Sequence, residues 1–365
     1  MFGPFYQADQ NMKKIIYPLA FTLIVLALFL NFLYAQEAII VPENNTLVNV
    51  TQEESIKPVE DRKQFTSFRV TKRIRVKCLA DLQTLQIRFP LIRKDFRGQT
   101  IKQVTLSPEY NALLHDPDKN DIAMYYFPSV KAGEDIVLVM EYKIDIEDSD
   151  FFVSPAEAGE AGDSVELDLG RYLKSDADID IDNVFIRETA QQITKGIKNP
   201  FAKGKALYNY IANDIKYENT DEVSGFQSPE DTLRIKRGNC ADMARLFITL
   251  ARISGIPARQ VNGMVFSPDV SRNKSKRKYE HAWAEIYFPK YGWLPVDPTT
   301  GVTSREDYYC FNYKIHIRES YGPVIQRSRS SLYKGMYMEG RSAGAGGGRL
   351  PVQQDFEVEV DLLNW

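Results

Sequence analysis

Three cysteines and three histidines are all that this chain of 365 residues offers to thiol or imidazole chemistry, so each can be weighed individually. Cys240 opens a helical pattern, Cys-Ala-Asp-Met-Ala-Arg-Leu-Phe-Ile-Thr-Leu-Ala-Arg-Ile-Ser, which Gly255 and Pro257 end. Cys240, Ala244, Phe247, Ile248 and Ala251 share one face of it, with Met243, Leu246 and Leu250 beside them, so the helix is apolar enough to be central. A thiol at a helix N-terminus feels the positive end of the macrodipole, which favours thiolate, the nucleophile of covalent catalysis. A buried inert cysteine is the other reading of the same position.

The histidine next to consider is His281. Glu280 to Phe288 reads as a strand, Lys290-Tyr291-Gly292 as a turn, and Trp293 to Asp297 as the returning strand. Facing residues of a hairpin have a constant sum of positions, so with the turn centred near Pro289, His281 faces Asp297 or lies within a diagonal step of it. An imidazole held by a carboxylate beside a helix-start cysteine has the parts of an acyl-transfer triad: Cys240 attacks a carbonyl, His281 protonates the leaving amine, and Asp297 fixes tautomer and orientation. Trp283 and Trp293 share strand faces with these residues by parity; they wall the site from water or simply pack the core. No second Cys or His sits at ligand spacing from His281, so neither a metal nor another cofactor is expected. His115 and His316 lack partners at useful spacing and read as structural or surface residues. Cys78, on an apolar strand face, and Cys310 read as two buried thiols, with a disulfide in an oxidising compartment as the alternative.

Around these residues the chain divides by pattern. Lys13 and Lys14 precede an uncharged run from Ile15 to Tyr34, roughly 20 residues and enough to span a bilayer. The flanking charges favour a cytoplasmic N-terminus and an exported remainder, with 1–35 a signal peptide or a signal anchor. Residues 36–63 read as a polar linker. From Phe68 to Cys78 the even positions are apolar, Lys72 excepted, and the odd ones polar; Leu85 to Leu91 and Leu138 to Ile146 repeat this period of two. Strands at such spacing predict a β-sandwich over 64–165. Helical patterns follow from Asn183, with a break at Asn199-Pro200, and Ser228-Pro229-Glu230 starts another helix. Asp176, Asp178, Asp180 and Asp182 lack the glycine and glutamate of a calcium loop and read instead as capping residues. Arg272, Lys274, Lys276, Arg277 and Lys278 form a basic, solvated loop before His281. Gly340 to Gly348 reads as flexible, and Phe356, Val358, Val360 and Leu362 as a last strand returning to a sheet; 321–365 is set apart on that basis. Lys+Arg of 46 against Asp+Glu of 49 gives no basic surplus, so nucleic acid is not an expected partner.

Arg237-Gly238-Asn239-Cys240, Gly255-Ile256-Pro257-Ala258-Arg259, Glu280-His281-Ala282-Trp283 and Gly292-Trp293-Leu294-Pro295-Val296-Asp297-Pro298-Thr299 together resemble, in order, the bacterial transglutaminase-like superfamily. With the preceding helices they span roughly residues 183–301. The resemblance implies an α+β fold: a papain-like core over 166–320, with its central helix on an antiparallel sheet, preceded by the all-β sandwich domain and the N-terminal hydrophobic helix. It also implies Cys240, His281 and Asp297 as the triad. Asn239 stands where members often carry Asp or a small residue, and Arg234 occupies the region where papain-like proteases place a glutamine, so the backbone N–H of Cys240 is the one assigned oxyanion donor. The expected activity is that of an exported thiol enzyme hydrolysing amide bonds of a protein or peptide substrate. A cross-linking transglutaminase and a catalytically silent binding module of the same fold are the alternatives.

Overall fold

The alternating stretches become strands because each buries one face and wets the other. The computed structural model describes residues 65–147, 153–159, 169–218, 227–265, 280–304, 307–311, 316–322, 337–342 and 350–364. The expected N-terminal apolar segment, the linker and the basic loop lie outside them, and no helix among the described residues is long and apolar enough to cross a membrane. Six strands come first: β1 (Phe65–Cys78), β2 (Leu82–Pro90), β3 (Gln99–Ser107), β4 (Ala112–His115), β5 (Asp121–Phe127) and β6 (Asp135–Glu147). They are joined from the far end of the chain by β13 (Tyr337–Ser342) and β14 (Val352–Asn364). Two antiparallel sheets result, ordered β14-β1-β6-β3 and β13-β2-β5-β4. Phe68, Val70 and Ile74 of one share a buried core with Leu85, Ile87 and Phe89 of the other. The C-terminal strand, expected to return to a sheet, pairs with β1. Gly340, expected in a flexible run, is instead paired with Leu85 in β13.

Between these strands lies the mixed part of the chain. Its helices are α1 (Val184–Ile193), α2 (Pro200–Asp214), α3 (Pro229–Ile235), α4 (Cys240–Ile253) and α5 (Pro298–Ser304). Their starts are local chemistry: Asn183, Asn199 and Ser228 each accept a backbone N–H of the first turn, two of them followed by proline. Short pairs β7 (Lys216–Tyr217) and β8 (Arg237–Gly238) lead into α4, while β9 (Ala258–Val265), β10 (Glu280–Phe288), β11 (Gly292–Val296) and β12 (His316–Tyr321) make a third antiparallel sheet, ordered β11-β10-β9-β12. Ala284, Ile286 and Phe288 of β10 share a core with Phe247, Leu250 and Ala251 of α4. Trp283, Val261 and Ile317 join the core of the two-sheet unit instead. The third sheet is therefore covered on both faces, and α4 is buried from Cys240 to Arg252.

Two polar exceptions are explained at this level. Lys72, the break in the β1 alternation, is fully buried; its ammonium pairs with Glu319 of β12 and lies 5.5 Å from the Phe89 ring centre. Asp176 pairs with Arg252 at 2.8 Å, so this acidic residue ties a loop to α4 rather than capping α1, whose cap is Asn183. Cys78 and Cys310 are both buried and free.

Candidate active site

The N-terminus of α4 is closed by a capping box. Asn239 Oδ1 accepts from Ala241 N at 2.9 Å and Asp242 N at 3.2 Å, and Asp242 Oδ2 accepts from Asn239 N at 3.0 Å. Asp242 is itself buried and held by Arg245 at 2.5 Å. A Cβ on Gly238 would stand 2.8 Å from the Asp242 Cβ, so glycine is required before the cap. This places Cys240 as the first helical residue, with its thiol where the helix dipole is positive.

His281 reaches that thiol from β10. Its ring is hydrogen-bonded to the Cys240 side chain, and its Nε2 lies 2.7 Å from Asp297 Oδ2, which leaves Nδ1 for the sulfur. The hairpin register pairs Phe288 with Gly292 and Ala284 with Val296, so its turn centres on Lys290 rather than Pro289. Asp297 therefore meets His281 by the diagonal step, not face to face. Cys240 is 6% exposed and the His281 side chain 11%, so neither is wholly covered.

Asp297 is fully buried and caps α5: its Oδ1 accepts from Thr300 N at 3.0 Å. Its Oδ2 accepts from three donors, His281, the Thr300 hydroxyl at 2.6 Å and His316 Nε2 at 3.1 Å. Burial pushes this carboxyl up, but the His281 charge and hydrogen bond, with help from His316, hold it far below the usual carboxylate range. Burial likewise pulls His281 down; the charge and hydrogen bond of Asp297, and then Cys240, outweigh it and carry His281 up to about 10. His316 moves the other way. Burial lowers it first, Asp297 opposes, and His281 and Arg318 add to the lowering. The two rings thus divide the roles, His281 carrying the charge and His316 staying neutral.

Sequence reasoning missed His316, which it left as structural or surface; the residue is buried and in the site. Thr300 was missed as well, though Asp297-Pro298 followed by Thr300 has the spacing of a cap and its third helical position. Of the two tryptophans, Trp283 belongs here: it is fully buried, its ring centre 5.8 Å from His281 and 5.1 Å from His316. Trp293 does not join it. That ring lies at the turn end of the hairpin, 4.9 Å from Tyr172 and 4.0 Å from the Arg259 guanidinium. Arg234 pairs with Glu230 at 2.7 Å and covers Phe185, and His115 pairs with Asp121 on the surface. Glu285, on the face of His281, is held by Arg259 at 2.7 Å. One donor atom each from His281, Asp297 and His316 lie within 4.8 Å of one another, a spacing that a metal ion can use. The hydrogen bonds converging on Asp297 Oδ2 account for that closeness.

Residues 187–298 match the family described as the transglutaminase-like superfamily. This part of the chain has a transglutaminase-like fold. A solved structure from Cytophaga hutchinsonii, described as a candidate cysteine protease, superposes with a TM-score of 0.60 over 83% of this chain and 92% of its own, at 16% identity, a likeness of fold. The uncharacterized protein YebA of Bacillus subtilis is 31% identical over 131 residues, 33% of this chain and 18% of its own length. An uncharacterized protein of Haemophilus influenzae is 27% identical over 148 residues, 36% of this chain and 40% of its own. The chain thus spans less than half the length of these curated relatives.

Proposed function

We propose that the transglutaminase-like core is a thiol hydrolase of amide bonds in proteins or peptides, with Cys240 as nucleophile, His281 as general acid and base, and Asp297 as the carboxylate that orients it. The observation that carries this reading is the His281 ring, bonded through Nε2 to buried Asp297 and hydrogen-bonded to Cys240 at the start of a buried helix. An imidazole raised to about 10 is protonated at neutral pH, which suits a thiolate–imidazolium pair. The Cys240 sulfur attacks the carbonyl carbon, forming S–C and placing charge on the oxygen, toward which the Cys240 backbone N–H points its dipole. His281 gives its Nδ1 proton to the leaving nitrogen as C–N breaks. His281 Nδ1 then deprotonates a water whose oxygen bonds the acyl carbon as C–S breaks, which releases the acid and restores the thiolate–imidazolium pair. Trp283 screens the imidazole pair from solvent.

We read the two-sheet unit as the expected β-sandwich, completed by β13 and β14, and the chain from Gln36 onward as exported behind the apolar run of 15–34. A reporter active only outside the cytoplasm, fused after Trp365, tests the export; activity of a cytoplasm-only reporter there rejects it. The chemistry is tested by incubating the full chain with a glutamine-containing peptide library, with and without a primary amine, and reading products by mass spectrometry. New termini from cleaved amides are expected. Ammonia release with amine incorporation replaces hydrolysis by cross-linking, and no Cys240-dependent product leaves the binding module.

A further inference from the structure

We infer that His316 is a fourth member of this site, a neutral positioning residue whose Nε2–H keeps the Asp297 carboxylate on His281. The inference rests on the thiol-enzyme reading and goes beyond it. A carboxylate only accepts, so the His316 nitrogen 3.1 Å from Asp297 Oδ2 carries the proton. The opposite nitrogen, Nδ1, is buried with no hydrogen-bond partner among the described residues. A lone pair is the tolerable occupant there; a second N–H would be an orphaned donor on a cation beside protonated His281. The surroundings enforce that choice. Phe311 at 4.6 Å, Trp283 at 5.1 Å and Tyr308 at 6.0 Å pack the ring, and the charged groups acting on it are Asp297, His281 and Arg318. Asp297 Oδ2 thus has three donors among the described residues, two of them imidazoles on different strands, and of those two His316 is the one that catalysis does not use.

The position of His316 is set from outside the core. β12 is the edge strand of its sheet, and side chains of the two-sheet unit stand in for a neighbouring strand. Gln99 donates to the Arg318 carbonyl at 2.8 Å and accepts from its N–H at 2.9 Å; Asn120 does the same for Tyr321 at 2.8 and 2.9 Å. Arg93 N donates to the Glu319 carbonyl at 3.1 Å, and Lys72 pairs with the Glu319 carboxylate. Such amide-to-backbone pairing fixes a strand's height and register as a ladder does. A sheet unit that carries no chemistry of its own therefore holds a residue of the site in place.

The test compares His316→Gln, which retains an N–H near the Nε2 position, with His316→Leu, which fills space without donating. The probe is iodoacetamide, its reaction with Cys240 in the full chain followed by mass spectrometry from about pH 5 to 9. A hydrogen bond to a charged group is worth roughly tenfold to a hundredfold, so His316→Leu is expected to slow alkylation near neutral pH by that factor and to move its acid limb upward. His316→Gln is expected to stay within about threefold of the parent, less than one hydrogen bond's worth. If His316→Leu melts before assay, His316→Phe, which keeps ring packing against Phe311, takes its place. Parent-like alkylation by the folded Leu or Phe variant overturns the inference, as does a Gln variant as slow as Leu, which would make His316 a space-filler. Both results leave an activated Cys240 and the thiol-enzyme reading intact. A parent Cys240 that reacts only above about pH 8.5, the ordinary thiol value, removes that reading and this one with it.

Discussion

Replacing Asp297 by asparagine changes one atom, and the hydrogen bonds around it dictate the outcome. Thr300 N donates to Oδ1 at 3.0 Å, so the new amide must keep its oxygen there and turn its nitrogen toward His281 and His316. The Thr300 hydroxyl can rotate to accept; an imidazole accepts there only by changing tautomer. His281 is then driven to the tautomer with its proton on Nδ1, aimed at Cys240, and loses the charge that holds it up to about 10. A return to the ordinary value near 6.5 weakens the thiolate–imidazolium pair by up to about 5 kcal/mol, or roughly 10³-fold. The same replacement in a serine triad costs about 10⁴. We expect Asp297→Asn to slow Cys240 alkylation at pH 6 to 7 by roughly 10² to 10⁴ while the melting transition stays cooperative, since the cap on α5 survives through Oδ1. Alkylation within threefold of the parent, in folded protein, would show that the Asp297–His281 bond does not set the state of the thiol.

Three further outcomes follow from named contacts. Lys72→Ala strips the buried ammonium from Glu319 and is expected to cost about 3–5 kcal/mol in urea unfolding, whereas Lys72→Met with Glu319→Leu recovers most of it; equal losses in both would deny the pair its role. Gly263→Ala places a Cβ 2.1 Å from the Ile317 carbonyl oxygen and 2.8 Å from Trp283, so β12 must shift and carry His316 with it. A loss of about 1–3 kcal/mol with slower Cys240 alkylation is expected, and a variant unchanged in both measurements refutes the close approach. In Cys240→Ala, where no thiol contributes protons, His281 is raised when folded and ordinary when unfolded, so the folded chain holds the extra proton. That stability is complete below about pH 6.5 and is expected to drain as pH rises through the folded value, which Asp297 alone now raises, measured by denaturation at fixed pH; Asp297→Asn in the same background should flatten the dependence.

Much of the site was legible in the chain itself, because its parts are set by neighbours in sequence. Asn239 caps α4 through residues two and three ahead of it, which puts Cys240 at the helix start without reference to the rest of the fold. The hairpin brings His281 within one diagonal of Asp297 because strand pairing is arithmetic; only the turn centre, shifted to Lys290, separated facing from diagonal. Tertiary structure decided the rest. His316 gave no signal, since every residue from His316 to Ser320 is buried and a strand covered on both faces has no alternation to read. Lys72 did leave a mark, a charge on an apolar face, but its reason, Glu319, lies far along the chain. Trp293 reads as sharing a strand with Asp297, yet β11 ends at Val296 and packing against Tyr172 and Arg259 takes the tryptophan elsewhere. Caps, turns and alternation act over a few residues and can be read in order. Which strand becomes the edge, and which buried polar group meets which, depends on where distant segments pack, and that the folded chain alone determines.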